Sequence, residues 1–472
     1  MAMHKLPTVG YLKSNGIPVI NWPNRLLNTA AIIVKRGTFH DPIRLEGAHH
    51  AIEHLVCGKS ATYSSEDLVL KMERLFGGTD GPDIKVFTVE MYTSYGFRDM
   101  PDRRAFREAF TVNAVILRDG IIECHNMHRD DGRQFDLGSL LTERAAIHNE
   151  VKHRRDYLPI AVAEELSRLM WQGTTNPARL AGTGNIKQLR KLVKPTTLKS
   201  IAADGYVPSE MAIIGIGPTQ SDLLELCAAT ELDQLKPYKA SKPLYDGSDT
   251  EPHFKTIVTN EAPRPGINQT HVILGWPTPT FMSTDGPALE VLARILKMRS
   301  EMYLRDMNTE FDGGVYHPSS SWSATKWHGV LDVWFATAGD AACAEWCTEQ
   351  VLGICSQLKD DHSSALDHQV EAVRLNMTSS LAQEWKWFPD LICERISDHY
   401  ANGDGTLEHL VWYEDTVSKV APADIRRVAS EYLMTQRFAR ATVHPLYVPS
   451  DIVERATEES APYLRALLKP AD

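Results

Sequence analysis

The sequence predicts an α+β protein of two related domains in tandem, each a mostly antiparallel sheet packed with helices. Strand-like runs alternate with amphipathic helical segments along the chain, which excludes an all-α or an all-β fold. Two stretches of equal length, Leu198 to Pro218 and Ile425 to Pro445, can be laid together without a gap. Their apolar positions coincide at Leu198/Ile425, Ile201/Val428, Ala202/Ala429, Met211/Phe438 and Ile216/Val443, and both end on proline. Each reads as helix, turn and strand. Between the two cycles, Gln234 to His253 carries Pro237, Pro243, Gly247, Ser248 and Pro252, the composition of a linker. The predicted division is a first domain over 9–233, a linker over 234–253, a second domain over 254–447 and a tail over 448–472.

The elements follow in order. Thr29 to Val34 is an apolar β-type run with Gly37 beyond it, and a helix is expected from Gly47 to Val56, stopped by Gly58. Ile84 to Phe97, rich in Val, Thr, Tyr and Phe, reads as one long strand. Leu137 to Tyr157 has helical periodicity, with Pro159 just past its end. In the second cycle, Gln269 to Gly275 is a strand, Pro287 to Met307 a helix and Gly329 to Ala336 a strand; long helices then run to about Leu433.

Composition narrows the function classes. Of 472 residues 43% are hydrophobic and 24% charged, which is globular rather than disordered. A net charge of -11 argues against a general nucleic-acid binder, and the basic cluster Lys152-His153-Arg154-Arg155 reads as a solvated helix face. Met1 to Lys13 lacks the apolar run of a secretory signal, and no 18-residue apolar stretch suggests a membrane span. The seven cysteines are scattered and read as reduced, mostly buried thiols. A soluble, cytoplasmic protein is the expectation.

The chemistry concentrates in His50-Ala51-Ile52-Glu53-His54. On a helix, residues i and i+4 lie one above the other, so His50 and His54 can offer nitrogens to one ion. Glu53 shares that face, where its carboxylate could take a proton from metal-bound water. Two imidazoles leave a zinc site incomplete, and a third, anionic ligand should come from a rigid element. Glu143 and Glu150 lie seven apart on a predicted helix, about two turns, and so share a face. One could bind metal while the other orients a ligand.

These residues resemble the inverted-zincin peptidases that include insulinase, pitrilysin and the mitochondrial processing peptidase. That family carries H-x-x-E-H on an early helix and a downstream E-x6-E. The resemblance spans about Val9 to Pro445 and includes Gly77-Gly78, Thr88, Thr93, Tyr95, Gly215, Gly217 and Val443-His444-Pro445. It implies His50, His54 and Glu150 as ligands of one Zn2+ per chain, Glu53 as general base and Glu143 as a supporting carboxylate. Lys85, Val86 and Thr88 would lie on a substrate-pairing edge strand, with Arg305 and Tyr316 facing the substrate from the second domain. The chain departs from the family pattern at Lys85-Val86, where Asn-Ala is usual, and in the wide spacing of Arg305 and Tyr316. Placing Gly286-Pro287 opposite Gly47-Ala48 sets Leu289, Leu292 and Ala293 against His50, Glu53 and His54, so the second domain would hold no metal.

The resemblance implies a zinc metalloendopeptidase hydrolysing extended peptides, and the intact Glu53 favours that reading. The alternative is a non-catalytic structural or partner subunit of a larger peptidase-like assembly. Larger relatives join four such domains, so a two-domain chain is expected to pair as a homodimer or as a heterodimer with a related chain.

Overall fold

Two sheets organise the protein. In the computed structural model, described residues run from 7 to 446, apart from 24–27, 43, 58–59, 77–82, 127–136, 181–183, 186–187, 189–193, 237–239, 241–244, 246, 250, 265–266, 307–313, 339–340 and 404. The first sheet contains β1 (Thr8–Tyr11), β2 (Pro18–Trp22), β3 (Thr29–Val34), β4 (Asp83–Thr88), β5 (Thr93–Arg98) and β6 (Met211–Ile216), in the order β1-β2-β6-β3-β5-β4. The second contains β7 (Val258–Arg264), β8 (Thr270–Thr278), β9 (Val315–Ala324), β10 (Gly329–Thr337) and β11 (Ala439–Pro445), in the order β7-β11-β8-β10-β9.

The two sheets repeat one topology. β2 runs parallel to β6 as β7 does to β11, and every later neighbour is antiparallel in both. Only β1 is additional. The paired stretches aligned in the sequence occupy equivalent places, as α6 (Pro195–Gly205) followed by β6 and as α13 (Pro422–Tyr432) followed by β11. Likewise α1 (Ala48–Cys57) has its counterpart in α8 (Gly286–Asp306), where Leu289, Leu292 and Ala293 are buried core.

Both faces of each sheet are covered, which is why β3 and β6 are buried at every position and read as unbroken apolar runs. On one face of the first sheet, Val19, Ile32, Val34 and Ile213 pack with α1, α3 (Arg103–Asn126), α6 and α7 (Gln220–Ala229). The second sheet buries Val272, Leu274, Leu331 and Val333 against α8, α9 (Ala341–Lys359) and α13. The remaining faces share a third core containing Ile20, Ile33 and Ile214 of the first sheet and Ile273, Val330 and Val443 of the second.

Two helices cross over to complete it. α5 (Leu158–Met170) from the N-terminal half lies on β8 and β11, and α11 (Pro389–Asn402) from the C-terminal half lies on β3 and β6. Trp22 stacks on Trp385 of α10 (Ser364–Trp387) at a ring separation of 4.4 Å. Each buried Ile or Leu in such a core contributes about 1.5–3 kcal/mol. Half-exposed ion pairs contribute about 0–1 kcal/mol each, so the apolar contact decides the arrangement of the halves.

Two expectations need correction. Ile84 to Phe97 is not one strand but the hairpin β4–β5, closed by the Val89 amide donating to the Tyr92 carbonyl at 3.0 Å. The turn, Val89-Glu90-Met91-Tyr92, contains neither Gly nor Pro, so β-type composition hides it. The stretch around Cys124 and His125, whose polar composition suggests a loop, is instead the last turn of α3. Gly58, Gly77, Gly78, His128 and the tail from 448 lie outside the described residues. No helix among the described residues is long and apolar enough to cross a membrane.

The hairpin turn is held by the chain leaving β3. Thr38 and Phe39 amides donate to the Val89 and Glu90 carbonyls, both at 3.0 Å. A methyl group on Gly37 would stand 2.1 Å from the Val89 oxygen and 2.6 Å from that of Glu90. Gly37→Ala is expected to destabilise the protein by about 3 kcal/mol, the upper end of overpacking costs. Denaturant unfolding measures this, and an unchanged midpoint would show that the backbone yields freely.

Candidate metal centre

Asp41 fixes the start of α1. Its Oδ2 accepts from the Gly47 amide at 2.6 Å, and its Oδ1 accepts from the His49 amide at 2.9 Å. A carboxylate here satisfies amides that a helix N-terminus leaves open and complements the helix dipole. Gly47 has a φ of +91°, a conformation that suits glycine alone. Asp41 Oδ1 also lies 2.7 Å from His49 Nδ1, which binds that imidazole away from the next residue's site. Sequence reasoning missed Asp41, because it stands well upstream of the helix rather than at the usual cap position.

α1 then carries His50, Glu53 and His54 on one face, with ligand atoms within 4.8 Å of one another. Opposite them is α4 (Leu137–Asp156), anchored by Ile147 and Val151 in the same core as α1. These anchors turn Glu143 and Glu150 toward α1. Glu150 Oε2 lies 3.3 Å from His50 Nε2 and 3.5 Å from His54 Nε2. Zinc bonds of about 2.0–2.1 Å at tetrahedral angles separate ligand atoms by about 3.3–3.4 Å. The Glu150 oxygen therefore stands at a distance from each imidazole that suits such an ion. Glu143 Oε2 lies 3.1 Å from His54 Nδ1, the nitrogen that would face away from a metal.

The charges are arranged accordingly. Hydrogen bonding to His50 and then His54 holds the Glu150 carboxyl far below its usual range. Burial works to lower the His54 pKa, but the Glu150 contact and the nearby Glu53 and Glu143 carboxylates raise it overall. Glu53 is buried, at 7% exposure, and that burial pushes its pKa up against the opposing hydrogen bond from Thr88. Thr88 Oγ1 donates to Glu53 Oε2 at 2.6 Å, tying α1 to the outermost strand of the sheet.

The other sequence-selected residues divide. Thr88 lines a cavity of about 810 Å³ between the halves, as does Arg154, so the metal centre adjoins that space. Val86 packs into the core beside α1. Lys85 points to the opposite face of the sheet and pairs with Glu394 and, at 3.5 Å, with Asp390 of α11. Arg98 of β5 joins Asp390 at 3.0 Å. Tyr316 is 42% exposed on the edge strand β9 and is not among the cavity-lining residues. The side chain of Arg305 lies outside the described residues.

Comparison with known proteins fixes the fold. A family model described as Peptidase M16 inactive domain matches residues 193–359. A protease from Helicobacter pylori is similar over 93% of this chain and 100% of its own, with 17% identity and a TM-score of 0.78. A peptidase M16 inactive domain from Pseudomonas fluorescens is similar over 94% and 98%, with 13% identity and a TM-score of 0.74. A chain of Complex III2 from Candida albicans is similar over 92% and 95%, with 13% identity and a TM-score of 0.71. No curated protein matches the chain. The sequence resemblance thus holds as an M16-like peptidase fold.

The expectation of an active zinc metalloendopeptidase is overturned. The family model matching residues 193–359 is described as an inactive domain, and the structures sharing the fold include a peptidase M16 inactive domain and a chain of Complex III2. The intact Glu53 favours catalysis only if it has no other use. The structure gives it one: it is the buried acceptor for Thr88.

That bond yields a pH-dependent prediction. Folding raises the Glu53 pKa, so the buried carboxylate disfavours the folded state increasingly as pH rises above its unfolded value. Thr88→Val removes the donor that offsets this cost. The variant should lose about 1.5–3 kcal/mol of stability where Glu53 is ionised, and less at acidic pH where it is protonated. Unfolding midpoints from about pH 4, below the unfolded carboxylate value, up to about pH 8 test this, and an equal loss throughout would show that Glu53 is not the partner that matters.

Proposed function

We propose that this chain is a non-catalytic subunit of a larger assembly, using an M16-like peptidase fold to pair with itself or with a related two-domain chain. The observation that carries this reading is the match of residues 193–359 to the inactive domain. The Complex III2 chain of the same fold supports it, since that relative is part of a complex. A further support is the apolar surface at the junction of α10 and α11. Trp387 and Phe388 are 52% and 47% exposed there, apolar surface of the kind partners cover.

Within that subunit, His50, His54 and Glu150 hold one Zn2+ as a cross-link between α1 and α4. A metal bound only in the folded state stabilises that state, so such a site has a use without turnover. The spacing of the three ligand atoms supports this role.

Two measurements test the proposal. In extracts of its native cells the protein should elute at no less than twice the mass of one chain, and zinc-loaded protein should cleave no member of an unbiased peptide mixture in a chelator-sensitive way. Elution as a monomer would remove the assembly reading, and chelator-sensitive products would remove the non-catalytic one. For the metal, Glu150→Gln should lower bound zinc markedly, while Glu143→Gln should cost about 10–100-fold in affinity, the usual effect of a supporting partner. Metal analysis giving the reverse order would exchange their roles.

A further inference from the structure

The basic run Lys152-His153-Arg154-Arg155 reads in the sequence as one solvated face, yet the structure divides it. Lys152 and His153 are exposed. Arg155 turns to the Glu164 carboxylate at 3.7 Å and donates to the Gly184 carbonyl at 2.8 Å. Arg154 Nη2 instead lies 2.8 Å from Glu150 Oε1.

Glu150 is thereby shared between two neighbours. Oε2 faces the imidazole nitrogens of His50 and His54, and Oε1 is held by the guanidinium. Glu150 is 32% exposed and its side chain has three torsions to fix. A partner on its far oxygen restricts those torsions and keeps a single oxygen toward the histidines. His54 receives equivalent support from Glu143 at 3.1 Å. Two of the three candidate ligands, His54 and Glu150, are thus each braced by a residue of α4, Glu143 and Arg154.

We infer that Arg154 is a positioning residue of the metal centre, presenting Glu150 to zinc through one oxygen. The inference rests on the reading of His50, His54 and Glu150 as a zinc site. Positioning and simple charge have opposite signs here. A nearby cation repels Zn2+, so removing its charge alone would tighten metal binding. Removing a brace would weaken it, as loss of a supporting partner does at metal sites. Arg also offers a fixed planar fork, whereas Lys is a flexible point charge, so exchanging them separates geometry from charge.

The experiment is zinc affinity of the purified full chain, measured by competition with a chromophoric chelator. Arg154→Gln should weaken binding about 10-fold, at the low end of supporting-residue effects. Arg154→Lys should recover part of that loss, and Arg155→Gln should bind zinc as the parent does. The metal-free unfolding midpoints of all three should match the parent, which separates positioning from damage to α4. Unchanged or tighter binding by Arg154→Gln overturns the inference while leaving the zinc site standing. If the parent chain takes up no zinc at all, the zinc reading falls and this inference falls with it.

Discussion

Each sheet has two apolar faces, and the helices of its own half cover only one of them. Ile20, Ile33 and Ile214 on one side, and Ile273, Val330 and Val443 on the other, must be kept from water by something outside their own half. The chain meets this requirement by exchange, with α5 lying on the second sheet and α11 on the first. Two halves built in this way cannot separate without exposing a core, so their mutual arrangement is part of the fold rather than a loose association. The cavity between them is lined by both exchanged helices, through Ala163 and Leu166 of α5 and Glu394 and Asp398 of α11, and its walls inherit their positions from both sheets.

The candidate metal centre depends on that arrangement at one remove. α1 is set by Asp41 at its start and by Ile52 and Val56 in the first core, and α4 by Ile147 and Val151 in the same core. α5 follows α4 after one residue, so the helix that bears Glu143 and Glu150 continues directly into the helix that covers the second sheet. A displacement of the two halves would reach Glu150 through this short connection. The ion pairs at Lys85 and Arg98 brace the other side of the first sheet against α11, but they are half-exposed and weak beside the buried apolar contact.

Much of this is legible in the amino-acid order, because period and composition report burial. The continuous apolar runs of β3 and β6 show strands covered on both faces, and the matched stretches at 198–218 and 425–445 show the repeat. Spacing alone places His50, Glu53 and His54 on one helical face. What escapes are features defined by contacts distant in sequence. The hairpin turn at 89–92 is held by Thr38 and Phe39 rather than by Gly or Pro. Asp41 caps a helix that begins seven residues later. Lys85 is indistinguishable in sequence from a solvent-facing strand residue, and only the arrival of α11 makes it an ion-pair partner. Arg154 and Arg155 are adjacent and alike, yet one meets α1's partner carboxylate and the other a different helix.

The same distinction explains how an intact motif can accompany a non-catalytic role. Each residue of the set has a local use that turnover is not needed to explain. His54 is bound by Glu143, Glu150 by both imidazoles and Arg154, and Glu53 by Thr88. Loss of the buried Glu53–Thr88 pairing would cost about 1–3 kcal/mol, and loss of each half-exposed pair about 0–1 kcal/mol. For a protein whose whole stability is about 5–15 kcal/mol, that is reason enough to retain it. Hydrolysis would require more than these residues: a bound peptide must also be positioned and its developing charge stabilised by groups outside the motif. Lys85 is engaged by α11 and Tyr316 stands outside the cavity lining, so those two sequence-selected contacts are not poised beside the metal centre. An intact motif is therefore compatible with the non-catalytic reading proposed above, because each of its side chains has a local polar partner.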